Sequence, residues 1–148
     1  MKKFSFSLER VLNYKEQVEQ NVRNEHAQAV RKVRDKEQQI EELEHQFDSD
    51  KCGLEEMKAG TVSAARMQEY SSYLEVLIHR ITAEKGNLKK LKIEEEEKRS
   101  RVIEAKKEAS SIQMLKDKKK REYDAEVAKA EEKEIEEFVS NRSLAAKN

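Results

Sequence analysis

Few residues in this 148-residue chain have types and spacing suited to chemistry. Glu41 and His45 stand four apart, which would set two metal-binding side chains on one face of a helix. Structural zinc wants four converging ligands, however, and the other histidines, His26 and His79, are scattered. The run Glu94-Glu95-Glu96-Glu97 is rich in carboxylates, but successive side chains fan around a helix and do not meet at one calcium ion. Lys116 to Arg121 carries enough positive charge to hold nucleic acid. It lacks interleaved aromatics and adjoins acidic segments, so an acidic protein surface suits it better. Cys52 is the single cysteine, with no disulfide partner and no histidine beside it to activate the thiol. The sequence holds no glycine-rich phosphate loop and no Cys-x-x-Cys pair. The expectation is a protein without catalysis, cofactor or metal, and without a small-molecule or nucleic-acid partner.

What positions these residues is a long helix. From Tyr70 to Lys133 the chain can be read in alternating strides of four and three, through Leu74, Leu77, Ile81, Glu84, Leu88, Leu91, Glu95, Val102, Ala105, Ala109, Ile112, Lys116 and Tyr123. A seven-residue repeat held over this length signals a helix that packs on another helix. With 42% charged residues, no proline and three glycines, the chain has few places to turn and too little apolar content for a thick globular core. Its 31 basic and 31 acidic residues cancel, which argues against a general polyanion binder.

A first stripe runs through Phe4, Phe6, Leu8, Val11, Leu12, Val18, Val22, Ala29, Val33, Ile40, Leu43 and Phe47, with Ser7 as a plausible cap. The register breaks between Asp48 and Ser63, where Gly53 and Gly60 fall. A helix that persists through Gly53 and ends at a left-handed Gly60, with Thr61 or Ser63 capping the next, fits best. The fold class predicted is all-α: a long antiparallel two-helix coiled-coil hairpin whose second helix is the longer. The boundaries expected are helix one at about 7–59, a turn at about 60–63, helix two at about 64–140 and a disordered tail at 141–148, all in a single elongated domain. A turn near Gly60 sets Phe47 against the region of Tyr73 and Leu8 against the region of Ile112. Residues beyond about Asp117, with Lys118, Lys119, Lys120, Arg121, Tyr123, Ile135 and Phe138, then extend past the N-terminus.

Two features call for a partner or a pairing. Tyr70, Tyr73, Leu74, Val76, Leu77, Ile78 and Ile81 place apolar groups around most of the helix, which fits either burial under Leu54, Met57 and Val62 or a docking patch anchored by Tyr73 and Leu77. Charged residues also interrupt the stripe at Glu84, Glu95, Lys98, Lys116 and Lys119. Their methylenes can cover a thin seam, or they can leave it marginal. His26 interrupts the first stripe and reads as a polar residue that fixes register. Met1-Lys2-Lys3 precedes no apolar run, so neither a signal peptide nor a membrane span is expected.

The lead Phe4-x-Phe6-x-Leu8-x-x-Val11-Leu12-x-x-Lys15, the chain size, and Tyr70-x-x-Tyr73-Leu74-x-x-Leu77 following Gly60-Thr61-Val62-Ser63 resemble FliJ, the coiled-coil family of the bacterial flagellar type III export apparatus. The resemblance covers most of the chain. It implies an antiparallel coiled coil, similar to the stalk subunit of rotary ATPases, that inserts into and activates the export ATPase ring. It also implies contact with the membrane export gate and assistance to export chaperones. By motif position the gate contact would fall on Tyr73, Leu77, Arg80 and Glu84. The ring-facing end would hold Phe4, Phe6, Leu8, Lys118, Lys119, Lys120, Arg121, Tyr123 and Phe138. The implied location is cytoplasmic, at the inner face of the membrane through protein partners. The stalk of a virulence type III secretion system has the same implied fold, and a generic coiled-coil spacer remains a reading from another class.

Overall fold

A computed structural model describes residues 2–60 and 62–147. It contains two helices, α1 at Glu9–Ala59 and α2 at Ala64–Lys147, of 51 and 84 residues. No strand occurs among the described residues. The fold is the all-α antiparallel hairpin that the two stripes predict, with the longer helix second.

Local chemistry explains the ends. The Phe6 carbonyl accepts from the Glu9 N–H and the Leu8 carbonyl from the Leu12 N–H, so Leu8, and not Ser7, occupies the cap position of α1. Glu9 lies in the first turn, where its charge favours the positive end of the helix. At the other end the Gly60 N–H donates to Met57 O, a tightened last turn. No glycine among the described residues has positive φ, so the helix stops without the left-handed Gly60 expected. Ser63 caps α2: its hydroxyl accepts from the Arg66 N–H and its carbonyl from the Met67 N–H. Thr61, the other cap candidate, lies outside the described residues.

The tertiary contacts divide the chain into two units, Met1–Gln20 with Ile103–Asn148, and Asn21–Val102. In the second, Ala29, Ile40, Leu43, Leu74 and Leu77 form the buried seam. In the first, Phe6, Leu12, Ala105 and Ala109 do so. From Tyr70 to Lys116 every position of the predicted four-three stripe is buried or half-buried. Beyond Lys116 the stripe loosens, and residues 131–147 are exposed throughout. The helix nonetheless continues to Lys147, where a disordered tail was expected from 141. Arg142, Leu144, Ala145, Ala146 and Lys147 are strong helix formers, and they outweigh Ser140, Asn141 and Ser143.

The glycines inside the helices differ in role. A Cβ on Gly53 would come within 2.9 Å of the Tyr70 hydroxyl, so Gly53 makes room for a ring from the facing helix. A Cβ on Gly86 would meet nothing within 4 Å. Gly86→Ala should therefore stabilise the chain by about 0.5–1 kcal/mol through backbone entropy alone. A rise in the urea midpoint at unchanged slope would show it, and an unchanged midpoint would refute it.

Candidate functional site

Polar residues on the stripes meet partners across the seam. In the unit of residues 21–102, the Lys36 ammonium donates to Glu84 at 2.5 Å and to Gln39 at 3.0 Å. His26 Nε2 and Glu95 Oε1 lie 2.8 Å apart, so this polar interruption of the first stripe has a partner on the facing helix. Tyr70 donates its hydroxyl hydrogen to Asp50 at 3.5 Å. In the other unit, Lys15 donates to Glu108 at 2.8 Å and Lys116 to Glu9 at 3.0 Å. Glu84, Glu95 and Lys116 thus do more than shield the seam with methylenes. Each finds a mate on the facing helix, which satisfies a half-buried polar group.

Electrostatics follows from these pairs. The hydrogen bond from Lys36 holds the Glu84 carboxyl below its ordinary range, helped by the Lys36 charge, a bond from Asn87 and the Arg80 charge, and opposed by desolvation. A carboxyl lowered on folding stabilises at pH values above its unfolded range, and that contribution disappears as pH falls through the folded value. The hydrogen bond and charge of Glu108 raise Lys15, so its contribution holds at neutral pH and is lost as pH rises through the folded value. The expected result is a thermal midpoint that drops as acid titrates the carboxylates. Glu84→Gln should show a shallower acid drop than the wild type; parallel curves would refute the coupling.

The residues proposed for gate contact separate in space. Tyr73 is 44% exposed, and its hydroxyl accepts a hydrogen bond from Gln46 at 2.7 Å. Arg80 is exposed. Leu77, at 4% exposure, belongs to the seam and does not reach the surface as the docking anchor the sequence suggested. Glu84 is half-buried against Lys36. Val76, one turn from Tyr73 on the same side of α2, is 65% exposed, whereas Ile78, 46% exposed, lies on the other flank of the seam beside Phe47 and Ile81. Leu54, Met57 and Val62 therefore leave both uncovered. The sequence signal for Val76 and Ile78 was present, since both lie off the heptad stripe, but it cannot say which off-stripe residues stay bare.

At the N-terminal end, the lead is an extended segment laid on α2. Phe4 stacks at a tilt on Tyr123, with ring centroids 5.5 Å apart, and the Lys120 ammonium sits over both rings at 5.3 and 5.2 Å. The Tyr123 hydroxyl donates to the Lys2 carbonyl at 2.6 Å. Phe6 is 9% exposed and Leu8 half-buried, so Phe6 is an anchor of the lead and not part of a bare tip. The lead and α2 border a groove of about 510 Å³. Lys118, Lys119, Lys120 and Arg121 are exposed on α2, with Lys119 bound to Glu122 and Lys120 to Asp124 along the helix. Phe138, 65% exposed, stands apart from them on the uncovered end with Ile135.

The other candidates remain separate. Glu41 and His45 are 3.9 Å apart and exposed, and no group of three or more metal-binding side chains occurs among the described residues. Cys52 is exposed. Among the described residues, no helix is long and apolar enough to cross a membrane.

Two helices joined by a four-residue turn and a seam of heptad leucines and alanines stitched by polar pairs define an antiparallel coiled-coil protein. Residues 4–148 match the family described as Flagellar FliJ protein, and the chain belongs to that family. It is thereby a component of the flagellar export apparatus. No curated protein and no solved structure matches the chain.

Proposed function

We propose that the chain is a non-enzymatic stalk of this apparatus, whose free α2 end engages the ring of the export ATPase and whose Tyr73 surface docks on the membrane export gate. The observation that carries the reading is the uncovered end. Residues 131–147 stay helical without a covering α1 and present Ile135 and Phe138 to a partner. Such exposed large side chains on a rigid support are the usual anchors of an interface. The basic residues Lys118 to Arg121 add charge that favours an acidic surface on the ring. Tyr73, with Val76 and Arg80, supplies the gate-facing surface, and export chaperones are a third class of partner. Association with the inner face of the membrane then runs through the gate protein.

The stalk contributes geometry and charge, and the ATPase contributes the catalysis. Saturating protein should raise the turnover of the cognate export ATPase. Phe138→Ala, a change at an exposed position, should weaken this effect without altering helix content. An ATPase rate unchanged at saturation would overturn the assignment.

A further inference from the structure

The flank of the seam away from Tyr73 carries a charge ladder that breaks near the turn. Glu37 pairs with Lys92 at 3.6 Å and Glu44 with Lys85 at 2.8 Å, rungs seven residues apart on each helix. The same spacing brings Lys51 and Ile78 to the next rung, where a hydrocarbon side chain stands in place of a charge. Ile78 is 46% exposed there. With Phe47, Ile81 and Thr82 it lines a groove of about 400 Å³ between the two helices. Phe47 and Ile81 are half-buried members of the seam, so the floor of the groove is apolar. On the opposite flank a polar bridge, the hydrogen bond from Gln46 to Tyr73, joins the helices instead.

We propose that this groove receives a basic amphipathic helix of a partner protein. Backbone chemistry selects a helix. The groove runs along α1 and α2, whose own hydrogen bonds are made, so an extended segment would find no backbone partner there, whereas a helix brings its bonds with it. Charge selects a basic one. Between Glu37 and Glu56, α1 carries eight carboxylates and a single lysine, Lys51. Lys92 and Lys85 answer only Glu37 and Glu44 among them. Asp48 and Glu55, both exposed and seven residues apart, therefore share one rim of the groove. An aliphatic anchor seated on Ile78 and Phe47, with lysines or arginines reaching Asp48 and Glu55, satisfies floor and rim together. From Glu44 to Glu55 the site spans about 16 Å, three turns of a partner helix.

This groove lies apart from both the Tyr73 surface and the free α2 end, so the inference goes beyond the stalk reading. Its test needs neither the ATPase nor the gate. The probe is a fluorescent synthetic helix of three heptads, with leucine at the a and d positions and lysine elsewhere. Anisotropy with the full chain should give micromolar binding that weakens with salt, and the same peptide with glutamate for lysine should not bind. Ile78→Ser should raise the dissociation constant at least roughly tenfold, as should Asp48→Lys with Glu55→Lys. Tyr73→Ala and Phe138→Ala should leave it unchanged. These positions are exposed, so every variant should keep the helix content of the wild type. Absence of binding would overturn the proposal. So would binding that Ile78→Ser leaves intact, which is diffuse charge attraction, or binding that Tyr73→Ala abolishes. A dimer in sedimentation equilibrium that Ile78→Ser dissociates would give the groove to a second copy of the chain and overturn it as well.

Discussion

Replacing Phe6 with alanine is expected to free the N-terminal lead from α2. Phe6 is the one buried side chain among residues 2–8, and truncating a buried phenylalanine costs about 3–5 kcal/mol. The lead has little else to hold it: the Phe4–Tyr123 contact, the Lys120 ammonium over both rings, and the bond from Tyr123 to Lys2. Ordering each backbone residue costs about 1–2 kcal/mol, so these contacts alone do not keep the segment in place. Proteolytic cleavage within residues 3–8 should become fast while the helical signal is retained. A lead that stays protected in the variant would show that Phe6 is not its anchor. Any loss of partner binding in this variant would then report an unseated lead and not a missing contact.

The second large effect is expected at Leu77. Leu77→Ala removes a side chain 4% exposed from a seam only two helices thick, and should cost about 2–5 kcal/mol of unfolding free energy. Stability of a domain is typically about 5–15 kcal/mol, so the loss is a large share. Tyr73→Ala is the contrast. It gives up an exposed ring and one hydrogen bond from Gln46, which is worth about 1 kcal/mol. Urea unfolding of both variants separates them: a shifted midpoint for Leu77→Ala with Tyr73→Ala close to wild type. Equal shifts would contradict the division between seam and surface. A gate-binding defect in Tyr73→Ala would then be interpretable as contact, whereas the same defect in Leu77→Ala would not.

Much of the architecture was legible because apolar spacing determines which helix face is covered. The stride from Tyr70 to Lys116 coincides with the buried and half-buried positions, and the turn at 60–63 follows from the loss of register between the stripes. The matches of charge across the seam were not legible. Whether Lys36 meets Glu84, or Lys15 meets Glu108, depends on the alignment of two helices, which neither stripe specifies alone. Burial of the site candidates failed for a related reason. Phe6 and Leu77 have the side chains that anchor interfaces and also those that fill seams, and residue type cannot separate the two. The role of Gly53 was also not legible. It lies in continuous helix, as expected, but nothing in its position told that it makes room for Tyr70.

The polar pairs have a mechanical consequence. Suppose α2 slid along α1 by one heptad within residues 21–102. Lys36 would lose Glu84 and face Leu77 or Leu91, and His26 would lose Glu95 and face Leu88 or Val102. The leucines tolerate such a step, since one layer resembles the next, but an ammonium and two carboxylates stranded among them do not. The charged pairs therefore act as teeth, and this part of the hairpin should transmit lengthwise shear from one helix to the other without slipping.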